Sequence, residues 1–327
     1  MIDRRQLIVC SGAWLIPASA RAQSPPRTAR IGWLSQGTAP PSGTPYPPKT
    51  IFVERMRELG WVEGRNLVIE FRFAGGAEAL PKMAAELVAL RPGLIVAPGT
   101  TAIRAARDAT LSIPIVMAAG GDPVGSGLVA SLARPGGNIT GVSALGQELI
   151  PKALSLLHEI VPHARRIDLL GNAAKPANPY FAKVFTQALR ERGIEGGLVE
   201  ARSADEMDEL IASTRADALQ MLSDPLLFRN AHRFADTAIR RRLPLSTSAA
   251  ELLPVAAGLL MSYATAQDEL WRLSADFADR ILRGAHPAEM PIEQPSRFEL
   301  FLNLKTAKAL GIALPQSLRL RAGEVIE

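Results

Sequence analysis

The sequence predicts an α/β protein of two doubly wound parallel-sheet lobes joined by a multi-strand hinge. After Pro25-Pro26, short apolar runs alternate with longer amphipathic ones, the mark of parallel strands covered by helices. The alternation occurs twice, in units of about 120 residues, without a residue-level repeat between them. The chain of 327 residues also exceeds the size at which a single core stops growing.

The first element is not part of either unit. Arg4 and Arg5 precede an apolar stretch, Leu7 to Ala18, that ends in Ala20-Arg21-Ala22, so residues 1–22 are expected to be a signal peptide cleaved after Ala22. Ser11, Gly12 and Pro17 break the stretch, which falls short of the roughly 20 apolar residues of a membrane-spanning helix. Twin-arginine export and lipidation at Cys10 are the weaker readings. Asp3 stands where Ser or Thr usually precedes the arginines, and Val9 where a lipobox has a small residue. The expected mature chain begins at Gln23 in the periplasm. Residues 1–22 carry three arginines and one aspartate, so the net charge falls from +5 to +3. Cys10 is the only cysteine, and a cysteine-free chain suits an oxidising compartment.

In the first unit, strands are expected at Ile31–Leu34, Leu67–Phe71, Leu94–Ala97, Ile115–Ala118 and Ile139–Val142, with helices at about Ile51–Leu59, Leu80–Leu90 and Ala102–Ala109. Gly60 and Pro92 mark two of the helix ends. The second unit opens with a helix, Pro151–Ile160. Strands follow at Ile167–Leu170, Gly197–Glu200, Ala218–Leu222, Leu243–Leu245 and Gly258–Ser262, and helices at Tyr180–Arg192, Asp205–Ser213 and Leu226–Arg241. A long helix, Gln267–Leu282, and a strand with a helix at Phe298–Ala309 then return to sheets already built. The expected lobes are residues 28–142 with about 264–288, and 143–263 with about 289–327. The chain would cross between them near Ser143, Ser262 and Pro291, which makes a hinge.

Ligands of open parallel sheets bind beyond the carboxyl ends of the strands. Those ends supply Ser35 and Gln36, Gly99-Thr100-Thr101, Asp122, and Ser143 in the first unit, then Asn172, Asn178, Asp224, Ser262 and Tyr263 in the second. All are small, polar or hydrogen-bonding, so they form a candidate ligand site rather than a set of general acids and bases. Taken singly, Asp122, Asn178 and Asp224 also sit where a helix cap or Asx turn is expected. The most specific signal is Gly99-Thr100-Thr101, a glycine and two hydroxyls at a helix start, which offers donors to a carboxylate.

Other function classes are excluded by what the sequence lacks. There is no GxxxxGK[ST], no GxGxxG after a strand and no GxSxG elbow, and the run Gly120–Gly127 is interrupted by Asp122-Pro123. No catalytic residue and no cofactor are expected. His158, His163, His232 and His286 show no ligand spacing, so no metal site is expected either. Lys and Arg are interspersed with Asp and Glu and dense only at Arg240-Arg241-Arg242, a helix end, so no nucleic-acid partner is expected.

The chain resembles a known family at Ile31-Gly32-Trp33-Leu34-Ser35, Glu58 to Asn66, Gly120-Gly121-Asp122-Pro123-Val124, Leu132 to Ser143, Gly258 to Tyr263 and Phe298 to Gly311. It is similar to the substrate-binding proteins of ABC transporters of the tryptophan/tyrosine type. The resemblance implies a type I periplasmic-binding-protein fold, closure of the lobes on a small-molecule ligand, delivery to an ABC permease in the cytoplasmic membrane, and no enzymatic activity. A monomer is expected. A periplasmic sensory protein of the same fold is the alternative. A LacI-like regulator would need a DNA-reading motif before residue 28, where the signal peptide stands. Two stretches depart from the family: Ala39–Lys49, with five prolines, is longer, and Lys175 lies between the two asparagines.

For the ligand, a free amino acid or related zwitterion fits better than a sugar. The chain has 17 aromatic residues, of which Trp33 and Tyr263 are expected beside the strand-end loops, too few for a stacking sugar site. Ser35, Thr100 and Thr101 would serve the carboxylate. Asp122 is the first choice for the ammonium and Asp224 the second.

Overall fold

The computed structural model describes residues 28–144, 146–175, 178–248 and 255–327. Strands β1 (Ala29–Ser35), β2 (Leu67–Phe73), β3 (Leu94–Pro98), β4 (Ile115–Gly120) and β5 (Ile139–Ser143) form one all-parallel sheet in the order β2-β1-β3-β4-β5. The central strands are apolar along their whole length because helices cover both faces. Helix α1 (Pro47–Glu58) lies over one face with Phe52 and Met56 buried, while α2 (Leu80–Ala89) and α3 (Thr100–Ala109) bury Leu87 and Ile103 against the other.

The second sheet contains β6 (Ile167–Asn172), β7 (Leu198–Ala201), β8 (Ala218–Met221), β9 (Leu245–Thr247), β10 (Met261–Thr265), β11 (Phe298–Asn303) and β12 (Glu324–Ile326), in the order β12-β11-β10-β9-β8-β6-β7. It is parallel except between β10 and β11. Helices α4 (Gly146–Ile160) and α5 (Asn178–Arg190) cover one face. The other face carries α6 (Ala204–Ser213), α7 (Pro225–Arg229) and α8 (Ala231–Arg240).

In both sheets the chain starts in the middle and winds outward in two directions. The strand order therefore reverses between β1 and β3 in the first sheet and between β6 and β8 in the second. Such switch points leave a crevice at the carboxyl strand ends.

Helix α9 (Gln267–Leu282) follows β10 of the second sheet yet packs on the first, with Trp271 and Phe277 buried against Trp33, Val96 and Val116. It is pinned to α1 by Arg55 on Asp276 at 2.7 Å and Arg272 on Glu58 at 2.6 Å. The chain returns to the second sheet for β11, α10 (Leu304–Leu310), α11 (Gln316–Arg321) and β12. Three connecting segments thus run side by side. Ser143 N donates to Glu293 O at 2.9 Å, Glu293 N to Gly141 O at 3.0 Å, and Ala266 N to Arg297 O at 2.9 Å. Gly141 has φ 128°, and a Cβ there would stand 2.3 Å from the Met117 carbonyl oxygen, so the close approach of β4 and β5 demands glycine.

Several elements differ from their sequence expectations. Helix α1 begins a turn early, because Pro47 and Pro48 occupy the first turn, where a missing N–H costs nothing. The expected helix over 226–241 is two helices, since Asn230 Nδ2 takes the Leu226 carbonyl at 2.8 Å and competes with the helical bond. Strand β9 starts after Pro244, which has no N–H for a ladder. Gly258, at φ 111°, turns the chain and moves β10 to Met261–Thr265. The C-terminal α11 and β12 have no counterpart among the expected elements.

Candidate ligand-binding cleft

The first rim is assembled from strand ends at the β1/β3 switch point. Gly99 caps α3 with φ 79° and ψ 150°, a conformation essentially confined to glycine, and brings no side chain, so no side-chain cap reaches the first-turn N–H groups. Thr100 Oγ1 instead accepts from Gly121 N at 3.0 Å, and Ser143 Oγ donates to Gly121 O at 3.2 Å. These two bonds hold the loops after β3, β4 and β5 as one unit. Ala119, at φ 53°, and a register shift between Met117 and Gly120 turn the end of β4 toward that unit. Thr101 is exposed in the first turn of α3, and Gln36 is half-buried after β1. Ser35 is buried, its Oγ accepting from Gly37 N at 3.2 Å.

Asp122 is half-buried, and its Oδ1 accepts from Val124 N at 3.1 Å and Gly125 N at 2.9 Å. It therefore makes an Asx turn; no helix begins there, and 121–138 is turn and loop.

The second rim is a network of side chains. Asp224 is 2% exposed, caps α7 by accepting from Leu226 N at 2.7 Å, accepts from Asn172 Nδ2 at 3.2 Å, and pairs with Lys175 Nζ at 3.4 Å. Lys175 also donates to the Ser223 carbonyl. Asn178 is fully buried at the start of α5; its Nδ2 donates to Asn172 O at 2.7 Å and to Glu200 Oε1 at 2.8 Å. Lys175 and Glu200 join the predicted asparagines and aspartate only because β6, β7 and β8 are neighbours.

Ser262 is buried in β10, in register with Thr247 and Phe301. Tyr263 is half-buried, stacked on Phe298 with ring centres 6.1 Å apart and packed against the second-lobe core; burial raises its phenol pKa.

Trp33 is corrected by the structure. It is fully buried, with Trp271, Phe52 and Phe71 rings 5.3 to 5.4 Å away, and is core rather than cleft. Sequence reasoning also passed over Tyr180, in the first turn of α5 and 41% exposed. Its phenol pKa is raised by burial and by the charge of Asp122.

Two open grooves, of about 690 and 610 Å³, lie along α5 and beneath Pro40–Tyr46. Neither is lined by the strand-end residues, although Tyr180 lies at the first. Among the described residues no cluster of three metal-ligating side chains occurs, and no helix is long and apolar enough to cross a membrane.

The same architecture is found in solved structures. A conserved domain protein from Vibrio cholerae superposes with a TM-score of 0.82 at 24% identity, covering 91% of this chain and 100% of that one. The ABC domain in complex with L-Trp from Streptococcus pneumonia superposes with a TM-score of 0.80 at 25% identity, again over 91% and 100%. In sequence, the chain is 28% identical over 269 residues to the tyrosine-binding protein of Clostridioides difficile (strain R20291), spanning 79% of this chain and 75% of the relative. The ABC transporter substrate binding protein family matches at residues 50–326, nearly the whole described chain. With this match and the two-lobed fold agreeing, the chain belongs to the family of ABC transporter substrate-binding proteins.

Proposed function

We propose that the chain is the extracytoplasmic substrate-binding subunit of an ABC importer, which closes its lobes on a free amino acid with an aromatic side chain and hands it to a membrane permease. The observation that carries this reading is the 3.0 Å bond from Gly121 N to Thr100 Oγ1. It fixes the N-terminal turn of α3, with its positive dipole end, beside the loop that holds the Asp122 carboxylate. A zwitterion presents opposite charges on one carbon, and this rim offers N–H donors for the carboxylate and an anion for the ammonium. Asp224 is the poorer ammonium site, because Lys175 already neutralises it. The aromatic side chain is carried over from the tyrosine-binding relative and the L-Trp complex.

The lobes in this reading are 28–142 with about 264–288, and 143–263 with about 289–327. The packing of α9 on the first sheet supports that division. Closure would bend the three neighbouring segments at Ser143–Ala144, Thr265–Ala266 and Glu293–Arg297, and the chain acts as a monomer.

A calorimetric screen of the free amino acids tests the ligand; tyrosine or tryptophan is expected to bind most tightly, and preferential binding of a neutral sugar would refute the reading. Intact-mass measurement on the exported protein tests the address. The expected mass starts at Gln23, and a lipidated chain starting at Cys10 would overturn it.

A further inference from the structure

We propose that the end of the second sheet remote from the carboxyl strand ends is a docking surface for the phosphate head groups of an anionic phospholipid bilayer. The sequence holds one dense basic cluster, Arg240-Arg241-Arg242, and folding enlarges it. Strands β9, β8, β6 and β7 are parallel neighbours, so the segments that enter them, 240–244, 214–217, 162–166 and 190–197, lie side by side at their amino-terminal ends. Direct bonds join these segments. Arg241 Nη2 donates to Thr214 O at 3.2 Å, Arg165 N and Arg166 N donate to Asp217 Oδ2 at 2.7 and 2.9 Å, and Glu195 N donates to Arg165 O at 2.8 Å. At the usual strand spacing the row is about 15 Å wide.

The four segments hold eight arginines, all exposed, against three carboxylates, Glu191, Glu195 and Asp217. That balance of five positive charges equals the +5 of the entire 327-residue chain, so the rest of the molecule is neutral as a whole. Little of the charge is met internally. Among the described residues, Arg165, Arg190, Arg215 and Arg242 make no ion pair and no side-chain hydrogen bond. Arg192, Arg240 and Arg241 reach neutral oxygens, and Arg166 alone meets a carboxylate, that of Asp168, at 3.2 Å. Around α1 and α9 the opposite holds, since Arg55, Arg272 and Arg283 each pair with a carboxylate. The negative ends of α5 and α8 account for Arg190 and Arg240, but that effect fades within a turn and does not extend to Arg165 and Arg166, which precede a strand.

Like charges gathered without counter-charges repel one another and cost stability until a partner of opposite sign is met. The chemistry of the row selects that partner. None of the large exposed apolar side chains of the described residues belongs to the four segments. A protein partner wants a buried aromatic or apolar anchor, and a single-stranded nucleic acid wants a ring to stack on. A surface of phosphates needs neither, because guanidinium groups take phosphate oxygens in pairs and each arginine near an anionic membrane adds a similar increment of binding. Docking by this end leaves the candidate ligand site, at the opposite strand ends, uncovered. The inference is therefore independent of what that site binds.

The test is co-sedimentation of the protein with vesicles of phosphatidylcholine, with and without phosphatidylglycerol, at low salt and in about 0.5 M salt. Wild type is expected to bind the phosphatidylglycerol vesicles at low salt, to release them at high salt, and to ignore pure phosphatidylcholine. Replacing the unpaired arginines together, Arg165→Gln with Arg215→Gln and Arg242→Gln, should weaken binding about a hundredfold, at about fivefold for each charge. A control with the same loss of charge on the first lobe, Arg57→Gln with Arg65→Gln and Arg134→Gln, should stay within about threefold of wild type on that scale. Thermal unfolding of both triple variants should match wild type, because the replaced side chains hold no partner. Equal losses in the two triples would assign the attraction to net charge and overturn the docking surface. Wild type that fails to bind at low salt, or that binds neutral vesicles as well, would also overturn it. Capture by soluble polyaspartate without vesicle binding would give the surface to an acidic protein and refute the lipid assignment.

Discussion

The two rims of the candidate cleft are made differently. The first is backbone held by hydroxyls: Gly99, Gly120 and Gly121 bring main chain close, and Thr100 and Ser143 stitch the loops together. Its one carboxylate, Asp122, caps its own turn and remains half-buried. The second is side chain bonded to side chain, with Asn172, Lys175, Asn178, Glu200 and Asp224 largely committed to one another. A group whose partners are already internal holds the fold, whereas a donor or charge left facing the crevice can serve a ligand. The first rim should therefore govern affinity and the second stability.

The largest expected effect tests the first half of that contrast. Asp122→Ala should lower affinity for the amino acid about a hundredfold or more, because an ammonium would be enclosed without its anion, yet cost only about 1 kcal/mol in denaturant stability for the lost turn bonds. Calorimetry and urea melts on the same preparation check both numbers, and wild-type affinity in the variant would remove Asp122 from the site.

Asp224→Ala should show the opposite balance. A buried cap and a charge-assisted bond to Asn172 are lost, about 2 kcal/mol or somewhat more, while Lys175, 30% exposed, can rehydrate. Affinity corrected for the folded fraction should change less than about fivefold. A large affinity loss with intact stability would put the ligand on the second rim.

Thr100→Val removes the acceptor for Gly121 N. A loss of about 1 kcal/mol is expected, with a several-fold weaker ligand because α3 and the Asp122 loop are no longer fixed to each other. Ligand binding by the Thr100→Val variant as tight as that of wild type would show that the bond plays no part in shaping the rim.

The smallest effect lies outside both rims and serves as their control. Glu58 bridges Arg272 and Arg55 between α1 and α9, and these hydrogen bonds lower its pKa from 4.5 to about 2. A depressed carboxylate stabilises the fold above its unfolded pKa, and that contribution disappears as pH falls from about 4.5 through about 2. Glu58→Gln should consequently flatten the acid limb of thermal stability within that window and leave ligand affinity at neutral pH untouched. Parallel acid limbs for variant and wild type would refute it.

Much of the architecture was legible in the chain because it depends on local chemistry. Continuous apolar runs such as Ile31–Leu34 and Ile115–Ala118 need two covering layers, and the apolar spacing in Gln267–Leu282 fits a helix whatever it packs against. The glycines, hydroxyls and Asx residues after each strand likewise announced the strand ends. Other boundaries escaped because the competing signals are individually weak, as where Asn230 breaks a helix by taking one carbonyl.

What the tertiary structure decided was where each of these residues looks. Trp33 ends a strand in sequence, yet strand alternation and the arrival of α9 from the far end of the chain put it in the core beside Trp271. Asp122 and Asp224 are both Asp-Pro loop starts after strands. Only the neighbouring Asn172 and Lys175 close one of them, while the other stays half-open. Tyr180 carries no signal in its own neighbourhood, because the Asp122 charge it feels comes from a loop 58 residues earlier, brought near by packing. Apolar periodicity and turn chemistry act over a few residues and can be read from them. Burial, pairing and opposition across a cleft arise between segments far apart in the chain, and only folding brings those together.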